Sequence, residues 1–182
     1  MNLRPIVPPL IVLLVCWLAF AALLLFTSNE LPDIVRNAYS RSDAVMSIAS
    51  RKEYCLSILV FSLAFSAAAF GGGVLANALR WRISNIPHRD YWFAPERESA
   101  TREFIARQFG WLGAGLVWPP AAIYLFTLSE NTTGPNRYST VAGVIIGALV
   151  VGFIAWMLHF YRHFLDGYPG NSDTVAPSGR RP

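Results

Sequence analysis

Charged residues leave four long gaps along this chain. No Asp, Glu, Lys or Arg occurs between Arg4 and Glu30, Glu53 and Arg80, Arg107 and Glu130, or Arg137 and Arg162. Each gap holds 22 to 26 residues. A helix needs about 20 apolar residues to cross a bilayer, whereas helices of soluble domains average about 11–12. The pattern predicts an all-α, polytopic membrane protein with four transmembrane helices, roughly 8–27, 54–79, 108–129 and 140–161. Residues 1–166 then form a single membrane domain with an outer loop at 28–53 and an inner loop at 80–107. The stretch 167–182 is rich in Gly, Pro and Ser without apolar periodicity, and is expected to be a disordered cytoplasmic tail.

Finer features refine this outline. The apolar run from Pro9 to Phe26 is longer than a signal-peptide core and is followed by polar Thr27-Ser28-Asn29-Glu30, so an uncleaved first span is expected. In the outer loop, Ile34, Val35 and Ala38 have helical spacing after Leu31-Pro32, which suggests a short amphipathic helix between Asp33 and Ala49. Pro119-Pro120 near the middle of the third span removes backbone donors and should kink it, with neighbours satisfying the freed carbonyls. Helix two carries Ala64, Ala68, Gly72 and Ala76 at four-residue spacing, with Ala69 and Gly73 beside them; helix four carries Gly143, Gly147, Ala148 and Gly152. Such small-residue stripes let helix backbones approach in lipid, and they suggest a homo-oligomer or a larger complex assembled through helices two and four. Cys16 lies inside helix one and Cys55 at the start of helix two, about 16 Å apart along the membrane normal if the helices are antiparallel neighbours. They are expected to be free thiols.

Composition agrees with the gaps. Of 182 residues 54% are apolar and only 14% charged, against roughly a quarter charged in a soluble domain; the mean hydropathy is +0.39. Four spans place both termini and the 80–107 loop on one side. That side holds ten of the 15 Lys and Arg residues: Arg4, Arg80, Arg82, Arg89, Arg97, Arg102, Arg107, Arg162, Arg180 and Arg181. The excess of basic residues predicts that both termini are cytoplasmic. The net charge of +4 is accounted for by a basic face toward anionic lipid, and no nucleic-acid partner is implied.

Catalytic chemistry is sparse. No charged residue lies within a span, which argues against coupled transport. No Cys-x-x-Cys, HExxH or Gly-x-Ser-x-Gly pattern occurs, and Gly71-Gly-Gly73 lacks the Lys-Ser/Thr of a phosphate loop. No cofactor is implied, and the chain reads as non-enzymatic. A weak metal candidate is His159, His163 and Asp166 at the inner end of helix four. The competing reading of these residues is an interfacial anchor complementing the helix dipole.

The inner-loop stretch Ser84-Asn-Ile-Pro-His-Arg-Asp-Tyr-Trp-Phe-Ala-Pro-Glu-Arg-Glu98 is the most distinctive part of the chain. Pro87 is placed to stop helix two, Tyr91, Trp92 and Phe93 to sit at the membrane interface, and Pro95 to open a new helix with Glu96 and Glu98 in its first turn. Glu98/Arg102 and Glu103/Arg107 are i,i+4 pairs in the favourable order. Residues 95–108 thus read as a short cytoplasmic interfacial helix leading into the third span. Two roles compete for the stretch. It is either scaffold, or a docking surface in which Pro87, Asp90, Tyr91, Trp92, Pro95, Glu96 and Arg97 meet a protein partner or a lipid headgroup.

The same residues carry a family resemblance. "NIPHRDYWFAPERE" with the following "TREFIARQFGW" resembles the block after the second span of small bacterial membrane proteins with a DUF1648-type N-terminal region. Leu31-Pro32-Asp33-Ile34-Val35 and Ser50-Arg51-Lys52-Glu53-Tyr54 are similar to the opening and closing of that family's outer loop. Ala38, Asp43 and Ile48 stand where the family has His, Gly and Trp. The resemblance covers roughly residues 10–130 and implies a bacterial cytoplasmic (inner) membrane location. A related region occurs in the immunity protein for the bacterial killing factor Sdp, which implies a signalling or immunity role with partner docking through the inner motif.

Overall fold

The computed structural model describes residues 4–36, 48–79, 86–132 and 137–168. Among the described residues it is a helical bundle with one short antiparallel strand pair. A 3-10 turn, Arg4–Ile6, leads into α1, Val7–Thr27, whose first turn accommodates Pro8 and Pro9. A short antiparallel pair follows, β1 (Ile34–Arg36) and β2 (Ile48–Ser50). Then come α2 (Arg51–Ala78), α3 (Arg89–Trp92), α4 (Glu98–Gly115), α5 (Trp118–Asn131) and α6 (Arg137–Asp166). Four runs are long and apolar enough to cross a membrane: Arg4–Glu30, Arg51–Ala78, Glu98–Asn131 and Tyr138–Asp166. They match the four uncharged gaps.

The third run is central. In its apolar stretch 56% of residues are buried inside the protein, against 6% in the fourth. Its α4 half packs on α2 and α1, and its α5 half on α6 and α2. Small residues make the α2–α4 approach possible, but of the glycines singled out from the sequence only Gly73 is at the contact. Gly73 faces the Phe109 Cβ, and on α4 Gly113 faces the Ser66 carbonyl while Gly110 faces Pro9. Gly71, Gly72, Gly143 and Gly147 have open space where a Cβ would stand. The stripe on α6 and most of that on α2 therefore point away from the protein's own packing.

The kink expected at Pro119-Pro120 is a break between α4 and α5, with both prolines in the first turn of α5. Proline lacks an N–H but fits the first helical turn, so the chain restarts there. The Ser62 hydroxyl donates to the Val117 carbonyl at the break (3.3 Å), and Ser66, which also donates to the Ser62 carbonyl, accepts from Trp17 Nε1 at 2.9 Å. Farther along, Tyr54 donates to Thr127 (2.8 Å), Tyr124 and Thr27 share a hydrogen bond of 2.8 Å, and the two tyrosine rings stack 6.3 Å apart. These polar groups sit among Leu13, Phe20, Leu24, Ile58, Ala121 and Leu128, where hydrogen bonding within the bundle offsets their burial.

The outer loop departs from expectation. The segment at Ile34 is a strand, not the start of an amphipathic helix. Val35 is buried and Ile34 exposed, the alternation of period two that a strand imposes. Val35 pairs with Ala49, and β2 runs directly into α2. The remainder of the expected loop helix lies outside the described residues. Helix α2 begins three residues earlier than the uncharged gap because Ser50 and Glu53 form a capping box. Ser50 Oγ accepts from the Glu53 amide at 3.3 Å, and Glu53 accepts from the Ser50 amide at 3.0 Å. Cys16 and Cys55 are free thiols, both half-buried against the main core.

Candidate functional site

The 86–104 stretch builds a cap at the end of the bundle where α1 begins and α6 ends. It starts at His88, whose φ of 53° places it in the left-handed region and turns the chain into α3. Pro87 lies in the turn before His88. Helix α2 has already ended at Ala78, so Pro87 does not terminate it as the sequence suggested. Pro95 does not open the next helix either. The Arg97 and Glu98 amides both donate to the Ala94 carbonyl at 2.9 Å, which places Pro95 in a turn, and α4 starts at Glu98. Beyond these shifts, a helix running from the cap into the third apolar run is present as expected.

The aromatic side of the cap faces α6. Trp92 Nε1 donates to the Phe164 carbonyl at 3.1 Å, in the last turn of α6, and the Trp92 and Phe164 rings meet edge to face at 5.4 Å. Gly167 is required there, because a Cβ would come within 2.7 Å of the Trp92 ring. His88 stacks on Tyr168 at 3.8 Å, and Tyr91 meets Tyr168 edge to face at 5.2 Å. Gly167 and Tyr168 therefore pack on the cap, although the sequence reading put them in the tail; the rest of the tail lies outside the described residues. Phe93 and Ile86 are buried in the same small core as Phe104, Phe160 and Phe164.

Arg102 fastens the cap to α2. It is almost fully buried, donates to Glu98 Oε1 through Nε (2.9 Å) and an Nη atom (2.7 Å), and reaches the Ala76 carbonyl at 3.3 Å. Its guanidinium also lies over the Phe93 ring. The Glu98/Arg102 pair expected from spacing is thus present, with Arg102 buried and Glu98 partly exposed. Glu103 and Arg107 are not within ion-pair distance; Arg107 instead lies over Phe104, with its guanidinium carbon 5.7 Å from the ring centroid. Thr101 completes the fastening by donating to the Trp92 carbonyl at 2.9 Å.

The seven residues proposed as a docking surface divide into two groups. Trp92 and Tyr91 are half-buried and turned to the end of α6, Pro87 is half-buried in its turn, and Asp90, Pro95, Glu96 and Arg97 are exposed. Arg97 lies 4.1 Å over the Tyr91 ring, which fixes its position while leaving it accessible. His159, His163 and Asp166 do not come together as metal ligands: among the described residues no group of three His, Cys, Asp or Glu side chains is placed to hold a metal ion. His163 is stacked on Phe104 at 3.7 Å and lies 5.4 Å from Trp92, and His159 is 6.3 Å from Phe104. Sequence reasoning missed that the histidines belong to this aromatic cluster. The signal was helical spacing, with Trp156 three residues before His159 and Phe160 three before His163. Compared with protein-family models, curated proteins and solved structures, the chain finds no match.

Proposed function

We propose that this chain is a non-enzymatic, multi-pass protein of the bacterial cytoplasmic membrane with both ends inside, and that it docks a protein partner through Asp90, Pro95, Glu96 and Arg97 in a signalling or immunity role. Four long apolar helices with extensive apolar outward faces support the bilayer reading. The excess of Arg and Lys at the cap end supports the orientation. One observation carries the docking reading: the cap's aromatic side is committed to α6, while its charged side is held in place and left exposed. The family resemblance of the same stretch is in line with this role.

The test is a photo-crosslinking side chain at position 96 of the full chain in its native membrane. The expected result is one discrete protein adduct that Arg97→Ala abolishes without changing the melting temperature. Adducts to lipid alone would refute docking. A second reading, an accessory subunit of a larger membrane complex, is favoured by the open stripe Gly143 and Gly147 on α6. A strictly monomeric particle in mild detergent that is unchanged by Gly143→Leu would refute it.

A further inference from the structure

Helix α6 touches α5 near its start and α4 near its end, but stands off in between. A groove of about 760 Å³ lies there, beside the break between α4 and α5. Its walls include Trp111, Leu116 and Trp118 on one side and Ile145, Gly152 and Trp156 on the other. Trp156 closes the end nearest the cap, with its Nε1 donating to the Gln108 carbonyl at 3.2 Å. Along α6 the groove runs from Ile145 to Trp156, or about 16 Å at 1.5 Å per residue. One leaflet of hydrocarbon is about 15 Å deep.

Just beyond the closed end lies a different chemistry. Arg107 is one helical turn from Trp111 towards the cap, and His159 and His163 follow Trp156 on α6. All three basic side chains gather around one ring, Phe104: Arg107 at 5.7 Å, His159 at 6.3 Å and His163 at 3.7 Å. Among the described residues none of the three is ion-paired. A lateral apolar slot one leaflet deep, with an unpaired Arg107 and two imidazoles at its headgroup end, complements the charge and shape of an anionic phospholipid.

We propose that this groove binds one anionic glycerophospholipid, with an acyl chain between Trp111, Trp118 and Trp156 and its phosphate on Arg107, His159 and His163. The permanently charged Arg107 supplies the preference for an anionic headgroup. The slot supplies the residence, because a chain lying in it replaces contacts that α6 cannot make with α4 and α5 itself. This proposal rests on the bilayer reading given above and is independent of partner docking at Asp90–Arg97.

The test is native mass spectrometry of the full chain in micelles containing equal phosphatidylglycerol and phosphatidylcholine. The expected result is one retained lipid per chain, with phosphatidylglycerol favoured roughly fivefold, as one basic residue beside a headgroup provides. Arg107→Gln should abolish the preference. Gly152→Leu, whose side chain would enter the groove where a Cβ meets nothing within 4 Å, should abolish retention of either lipid. Lys52→Gln, at the far end of α2, should change neither. Equal retention of both lipids, a preference surviving Arg107→Gln, or a lipid-free dimer would overturn the proposal. A chain that stays dispersed without detergent would instead overturn the bilayer reading.

Discussion

Gly73 is the tightest point between α2 and α4, and replacing it should cost more than any other single-methyl change in the bundle. A Cβ at Gly73 would stand 2.5 Å from Phe109 Cβ and 3.3 Å from the Ala106 carbonyl oxygen. Non-bonded carbons are comfortable at about 3.5–4.0 Å, so Gly73→Ala demands a separation of about 1 Å. A rotamer change cannot supply it, because the obstructing atom is the first side-chain carbon of Phe109. Helix α4 must move as a body. It is already pinned elsewhere: a Cβ at Gly110 would meet Pro9 at 2.9 Å, and one at Gly113 would meet the Ser66 carbonyl at 2.9 Å. A gap of about 0.5–1 Å forfeits a quarter to a half of each dispersion contact along the seam. The expected loss is about 1–3 kcal/mol, the usual range for overpacking. Gly72→Ala is the internal control. Its Cβ meets nothing within 4 Å, and it should be neutral or gain up to about 1 kcal/mol from helix propensity. Equilibrium unfolding in mixed micelles, followed by the fluorescence of the six tryptophans, reads both variants. Equal stability of the two would refute the close α2–α4 approach.

Three further outcomes follow from the same geometry. Ser50→Ala removes the capping box of α2 and should cost about 0.5–2 kcal/mol in the same unfolding assay, with the loss concentrated in slower-exchanging amides of the first turn becoming fast. Tyr54→Phe and Tyr124→Phe each remove one hydroxyl bond, to Thr127 and Thr27; each should cost about 0.6 kcal/mol and at most about 1.7, and a double-mutant cycle reads whether the stacked rings couple the two. Trp92→Phe removes the bond to the Phe164 carbonyl at a cost of about 1 kcal/mol and should speed hydrogen exchange at residues 164–168 while leaving the α2–α4 amides unchanged.

The four long apolar helices were legible because the sequence follows the rule that a charge at bilayer depth is expensive. The sequence keeps every Asp, Glu, Lys and Arg out of four stretches, and that signal needs no knowledge of tertiary contacts. The hairpin was not legible for the opposite reason. Ile34, Val35 and Ala38 fit helical spacing, and the fact that decides for a strand is a partner at Ala49, 14 residues away from Val35. Local periodicity does not carry such pairing. The capping box was legible in principle, since Ser50-Arg51-Lys52-Glu53 has the S-x-x-E form. So was the true packing stripe of the third span. Ala106, Gly110 and Ala114 repeat at four-residue spacing and are all buried, yet helices two and four each carry as many glycines as the third run does. Counting small residues finds helices able to approach closely but does not say which of them do. In the cap, the division between Trp92 and Glu96 depends on where α6 ends, and α6 is a long way off in sequence.

On the bilayer reading proposed above, the placement of α6 follows from its solvent. In water a helix with so few buried residues would bring no hydrophobic gain from its outward face, and its attachment would be too weak to fix it. In lipid, the hydrocarbon solvates that face as well as a neighbouring helix would, so the helix needs only a few specific contacts to be positioned. The chain provides them at its two ends. At one end Tyr138 donates to Glu30, and Ala142 is fully buried against the main core. At the other, Trp92, Phe104 and His88 grip the segment from His163 to Tyr168. Between these grips nothing obliges α6 to follow the break at Leu116–Trp118, and the residues lining the slot are apolar throughout. A helix held at both ends over a kinked neighbour necessarily leaves a slot at the kink. The cap that presents Asp90, Glu96 and Arg97 is therefore the same device that fixes one end of the slot, because Trp92 and Arg97 are joined through the Tyr91 ring. Displacing Trp92 would shift the exposed face and the end of α6 together, because a single packed aromatic cluster joins them.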